Sequence, residues 1–321
     1  MEDKLIQLQK KFVNMRNGVF IHFNSATQQF HDSEVNDWDS DVSGKNDPRR
    51  HVFDPKTWNP EELDCEQWAK IAKYGKVKFA ALTAKHHEGF CLWPTQATDH
   101  CVRTAACKRD VVKEYLEAFR KEGITAGLYF SMLDLQHDIT ALNFTEESWA
   151  LIKQELTELL TNYGDIPFMI FDGWNAPWGG PTFEQLPFEK VNALVKGLMP
   201  DCLVINIGSV EDLSTTDIIF FENAAGQKAQ SGFCGPGMAC NIYTKNWFWK
   251  DVHTNAELKS AQWAAAKVEE YNQMNISFLM NISPNNKGRV DRNLARRFEE
   301  FGKIYKAPEP LTQLPKGWMY R

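Results

Sequence analysis

Residues 166–173 read IPFMIFDG, an apolar run closed by Asp172 and Gly173. A run this short and this continuously apolar predicts a strand buried on both faces, the environment of a parallel sheet covered by helices. Asp172 leaves that strand as a carboxylate, which is costly to bury unless it is paired or put to use. Gly173 then lets the chain turn and opens the backbone to close approach. The pattern predicts a sheet whose strand end presents a reactive oxygen.

Outward from this strand, seven further runs rich in Val, Ile, Phe and Leu fall at 18–23 (GVFIHF), 77–85 (VKFAALTAK), 124–131 (ITAGLYFS), 203–208 (LVINIG), 217–223 (DIIFFEN), 239–243 (ACNIY) and 276–283 (ISFLMNIS). Segments with helical spacing of apolar residues separate many of them, at 61–73, 110–121, 146–162, 188–198 and 255–271. That alternation implies βα units, and eight strands imply an α/β fold of the (β/α)8-like (TIM-type) barrel class. Irregularity is expected in its second half, where the fifth and seventh runs are the weakest strand patterns. The chain is expected to be a single catalytic barrel domain over 1–321, with an N-terminal helix at about 1–17, a Pro-containing strap at about 306–321 and no C-terminal β-sandwich. The polar stretches 24–59 and 175–183 are long for βα connections, and such loops after strands usually form the active rim of a barrel.

Composition narrows the function. A formal charge of -6 and the lack of a long basic block argue against a surface built to neutralise phosphate, so nucleic acid is not an expected partner. The 11 Trp and 21 Phe residues supply flat rings of the kind that carbohydrate sites use, and equally supply an aromatic core. Seven cysteines without a CxxC pair give neither a disulfide framework nor a zinc site. No run reaches the length of a membrane span, and the opening MEDKLIQLQKKF lacks the apolar centre of a secretory leader. As written, the sequence is expected to be cytoplasmic, or periplasmic or secreted if a leader has been removed.

Polar residues gather at the carboxyl ends of the strands: His22, His86 and His87, Tyr129, Asp172, Asn206, Glu222 and Asn281. Each alone reads as a polar group that caps a strand or ties down a loop. A closed barrel would bring all of them to one face, around one pocket. Glu222 leaves its strand as Asp172 does, after DIIFF and before Asn223. Two carboxylates from different strands suit acid/base or nucleophilic work at a glycosidic bond. The adjacent His86 and His87 would reach one metal only if their strand had ended, and no HExxH or comparable spacing accompanies them. No cofactor or metal is called for.

At this point the residues carry a resemblance. GVFIHF with His22, the pair Asp37-Trp38, WNPEELDCEQWAKIAKYGKVKFAALTAKHHEGFCLWPTQATDH, KRDVVKEYLEAFRKEGITAGLYFS, IFDGWN and FLMNISPNNKG together resemble glycoside hydrolase family 29, the α-L-fucosidases, over about residues 18–290. The resemblance implies a retaining, two-step exo-hydrolysis of terminal α-L-fucosyl groups on fucosylated glycans, with Asp172 as nucleophile. Glu222 would be the acid/base, with Glu211 and then Glu184 in reserve. By the same carry-over, His22, His86, His87 and Tyr129 would hold sugar hydroxyls and brace the nucleophile. Trp38 and Asp37 would contact the polar side of the ring, and Trp247 or Phe248 would lie near the C6 methyl. Trp174, Trp178 and Phe183 are the candidates for the leaving-group side.

Departures from the family pattern are Glu88 for Asp, Phe23 and Ile170 where Trp is common, Asp37 for Glu, and no Arg between Asp172 and Arg289. Two rival readings keep the barrel: a fucose-binding protein without turnover, and an enzyme acting on another sugar such as a galactoside.

Overall fold

The computed structural model describes residues 3–29, 53–175, 179–208, 211–251 and 258–321. Eight strands run parallel: β1 Asn17–Ile21, β2 Phe79–Lys85, β3 Thr125–Ser131, β4 Phe168–Asp172, β5 Leu203–Asn206, β6 Ile219–Glu222, β7 Gly237–Asn241 and β8 Ile276–Ile282. They hydrogen-bond in the order β5-β4-β3-β2-β1-β8-β7-β6, a nearly closed irregular (β/α)8 barrel. All eight expected runs are strands, although β7 begins two residues before the expected 239–243.

Side chains alternate across each strand, as the period of two requires. Phe168 and Ile170 of β4 belong to the barrel interior with Phe20, Tyr129, Ile205 and Phe220, whereas Met169 and Phe171 join the outer core shared with the helices. Gly127 on β3 accommodates this filling, because a Cβ there would lie 2.5 Å from the Phe168 ring. Burying each such large side chain contributes about 1.5–3 kcal/mol, so the interior fixes the strand register strongly.

Among the described residues, eight α-helices accompany the strands: α1 Lys4–Val13, α2 Ser25–Gln29, α3 Cys65–Tyr74, α4 Val111–Lys121, α5 Glu146–Asn162, α6 Phe188–Leu198, α7 Ala261–Gln273 and α8 Arg292–Ile304. Their starts follow from local chemistry. Asp64, Asp110 and Ser260 each accept a backbone N–H of the first turn of α3, α4 and α7, and Thr145 with Ser148 forms a capping box on α5. The helix expected at 255–271 begins at Ala261; 252–257 lie outside the described residues. The helix α8 was not foreseen, although Leu294, Phe298 and Phe301 mark its buried face.

The irregular half lies around β5 and β6: among the described residues no α-helix lies between β5 and β6 or between β6 and β7, and only a 3-10 turn at Asn223–Ala225 follows β6. No ladder joins β5 to β6. One backbone bond, Asp217 N to Val204 O (2.7 Å), and two side chains hold that seam: the Asp217 carboxylate accepts from Val204 N (2.8 Å), and Thr216 Oγ1 accepts from Asn206 N (3.1 Å). Asp217 is buried and paired with Lys196 (2.7 Å) and Arg321 (3.1 Å).

The amino-terminal face of the barrel is plugged by α1, whose Phe12 ring meets Phe79 and Phe168 at 5.2 and 5.3 Å. The extended segment 306–321 crosses the same face, with Leu311 N on Asn14 Oδ1, Met319 N on Gly235 O, and Trp318 buried. Among the described residues, the cavity lies at the opposite, carboxyl face.

Candidate active site

Asp172, Glu222, His22, His86, His87 and Tyr129 line one cavity of about 320 Å3 at the carboxyl face. Phe20 and Phe220 form its floor, two residues before His22 and Glu222 on the same strand faces, and Cys240 and Trp247 complete one wall. These four apolar or weakly polar groups were not all foreseen. The period of two from His22 and Glu222 was the signal for Phe20 and Phe220. Asn175, Ile207, Gly208 and Gln227 also line the cavity, each just beyond a strand end.

Asp172 is held in one orientation. Tyr129 Oη donates to its Oδ2 at 2.7 Å and Gly173 N to its Oδ1 at 2.6 Å. Burial and the Asp172 charge push the Tyr129 phenol up, so it remains a donor. Gly173 has φ of +87°, and a Cβ there would stand 2.6 Å from Leu133 N and 2.7 Å from Ser131 Oγ, so this position accepts only glycine. The Asp172 side chain keeps 21% exposure, enough to meet a ligand.

Glu222 has the opposite environment. Among the described residues no donor bonds its carboxyl; its backbone N donates to Gln227 Oε1 at 3.0 Å. Burial, and then the nearby Asp172 charge, push its pKa up to about 7. One carboxylate thus accepts two hydrogen bonds beside another that burial favours in its protonated form, an arrangement that can divide a nucleophile from a general acid. The reserve candidates Glu211 and Glu184 are solvent-exposed and outside the cavity lining.

Burial disfavours charge on the three histidines. Asn281 Nδ2 donates to Trp247 O (2.6 Å), which leaves its Oδ1 to accept from His22 Nδ1 at 2.7 Å. His22 Nε2 therefore carries the lone pair. Burial lowers the His22 pKa to about 3 and also lowers those of His86 and His87. Because β2 ends at Lys85, His86 and His87 both turn into the cavity, with ring centroids 4.1 Å apart.

Behind this pair lies a buried charged network that sequence reading did not identify. Lys85 Nζ contacts Glu155 (2.7 Å) and Asp134 (3.2 Å), His137 Nδ1 meets Asp134 Oδ2 (2.9 Å), and His100 Nε2 meets Glu88 Oε1 (2.6 Å). Burial works to lower the Lys85 pKa, but Glu155 and Asp134 outweigh it and hold the ammonium charged. Leu135 N and Gln136 N donate to His87 O and Glu88 O, so the network fixes the loop that carries the histidines.

Some expected residues are placed elsewhere. Asn206 does not face the cavity: its Nδ2 donates to Asn192 Oδ1 on α6 and to Thr215 O, because it occupies an outward position on β5. Phe248 is buried behind the cavity, edge-on to the His22 and His86 rings at 5.3 and 4.9 Å, while Trp247 stacks on His22 at 4.8 Å. Asp37, Trp38 and Trp178 lie outside the described residues. Trp174 lines the cavity with its Nε1 donating to Leu186 O, and Phe183 is 38% exposed on the Phe188 ring at 4.8 Å.

The comparisons extend the match beyond the site. The family model described as Alpha-L-fucosidase matches residues 2–307. Alpha-L-fucosidase 1 of Arabidopsis thaliana is 29% identical over 93% of this chain and 59% of its own length. The chain spans less than two thirds of the curated relatives it matches most fully. Among solved structures, alpha-L-fucosidase isoenzyme 1 from Paenibacillus thiaminolyticus has a TM-score of 0.78 at 23% identity, covering 94% of this chain and 76% of that one. A glycoside hydrolase 29 family member from an unknown rumen bacterium has a TM-score of 0.75 at 26% identity, covering 92% and 56%. With the motifs, the barrel and a family match over almost its whole length in agreement, this chain belongs to the alpha-L-fucosidase family, glycoside hydrolase family 29.

Proposed function

We propose that the protein hydrolyses terminal α-L-fucosyl groups of fucosylated glycans with retention of configuration. The observation that carries the reading is the pairing of an Asp172 carboxylate held by two hydrogen bonds with a Glu222 carboxyl whose pKa is pushed up to about 7, in one cavity. In the first step an Asp172 oxygen bonds to the anomeric carbon as the glycosidic C–O bond breaks, and the departing oxygen takes the Glu222 proton. In the second, Glu222 takes a proton from water, whose oxygen attacks the same carbon and releases the sugar and the Asp172 carboxylate. His22 Nε2 offers an acceptor to a sugar hydroxyl, and Phe20 and Trp247 offer apolar wall to a deoxy carbon. Family membership supports the choice of fucose, and exposed Phe183, close to cavity-lining Gly208, is the candidate contact for the leaving group.

The test is turnover of an activated aryl α-L-fucoside by Asp172→Ala and Glu222→Ala with and without azide. Each variant should lose roughly a thousandfold or more in kcat. Azide should then yield the α-fucosyl azide with Glu222→Ala and the β-anomer with Asp172→Ala. Near-normal turnover of a substrate with a poor leaving group by Glu222→Ala would move the acid to another residue. A wild type that binds fucose but releases no phenol would leave a binding protein.

A further inference from the structure

We propose that Ser131 is a positioning residue that sets the tautomer of His87, so that this ring meets the substrate with its Nε2 lone pair. Ser131 ends β3, is buried, and stands opposite Asp172 in the strand register. A serine hydroxyl has one proton to donate. Leu133 O, which can only accept, takes that proton at 2.8 Å. The second contact of Ser131 Oγ, at 2.6 Å to His87 Nδ1, must therefore have the imidazole N–H as its donor. A neutral imidazole carries a single N–H, so Nε2 is left with its lone pair. Burial lowers the pKa of the ring and so favours its neutral form.

The choice of tautomer matters because His87 Nε2 lies 3.7 Å from Asp172 Oδ2. The opposite tautomer would aim an N–H at the nucleophile and draw charge from it. With Ser131 in place, the hydrogen bonds to Asp172 come from Tyr129 and Gly173, and His87 offers the sugar an acceptor. The arrangement also needs Gly173, since a Cβ there would stand 2.7 Å from Ser131 Oγ. The catalytic consequence rests on the hydrolase reading above; the tautomer itself does not.

The experiment is long-range proton–nitrogen correlation NMR on the full chain labelled with 15N-histidine at pH 7, with His87→Gln used to assign the ring. Wild type should show a protonated Nδ1 and a pyridine-like Nε2. Ser131→Ala should move the ring toward Nε2–H and lower kcat/KM on an aryl α-L-fucoside by roughly tenfold, the loss of about one hydrogen bond. Ser131→Thr, which keeps the hydroxyl, should retain the wild-type pattern and most of the activity. An Nε2–H ring in the wild type overturns the proposal, as does Ser131→Ala with unchanged tautomer and kcat/KM. An Nδ1–H ring in a wild type that turns nothing over supports the tautomer and counts against the hydrolase reading.

Discussion

Glu222 sits where a carboxyl holds its proton, and that single property links activity to stability. Its pKa of about 7, against an ordinary 4.5, means that the native state keeps a proton which the unfolded chain releases. Stability contributed by this group is therefore present below about 4.5 and lost as pH rises toward about 7. Glu222→Gln keeps the shape without the charge. We expect it to abolish turnover of substrates with poor leaving groups while raising unfolding stability at pH 8 by roughly 1–3 kcal/mol, measured by urea titration. The same proton predicts that wild-type kcat/KM declines as pH rises through about 7. A basic limb far above that value would separate the acid from Glu222. The two carboxylates were legible in the sequence because each closes an apolar run. Ser131 and the charged group around Lys85 were not, because their partners come from segments far apart in the chain and only the fold joins them.

Strands were read more readily than their ends or their outward faces. A buried parallel strand announces itself by unbroken apolar character, which is why β4 and β6 were found close to their true limits. The start of β7 was misplaced because Gly237 carries no side-chain signal. Asn206 was misread because position along a strand gives depth in the barrel, whereas facing depends on parity within the strand. Lys85 shows the same parity from the other side, since it points away from the cavity and binds two carboxylates behind the histidine loop. Lys85→Met should destabilise the protein by about 3–5 kcal/mol, because it leaves Asp134 and Glu155 buried without their counter-charge. Urea unfolding at pH 7 measures it. Lys85→Met/Glu155→Gln should recover part of the loss, and a single variant as stable as wild type would show that the network contributes no net stability.

On the scale of the molecule, one face is sealed and the other works. The helix α1 and the segment 306–321 close the amino-terminal face, while every charged group of the cavity stands at the carboxyl face. The barrel class was legible from eight runs alternating with helical segments. The unladdered junction between β5 and β6 was legible only as an expected irregularity. Asp217→Ala should remove the acceptor of the Val204 amide and lower stability by roughly 1–3 kcal/mol. Hydrogen exchange should quicken at Val204 and stay unchanged in β2; equal exchange at both sites would remove the special role of this junction.

That junction has a geometric consequence. Asp172 stands one strand inside one border of the rolled sheet, and Glu222 stands on the opposite border. On the proposed reading, the two carboxyl groups that cooperate across a single bond thus stand on either side of the slit, so its aperture sets their spacing. Thr216 and Asp217, outside the cavity lining, act as the stitches that calibrate it.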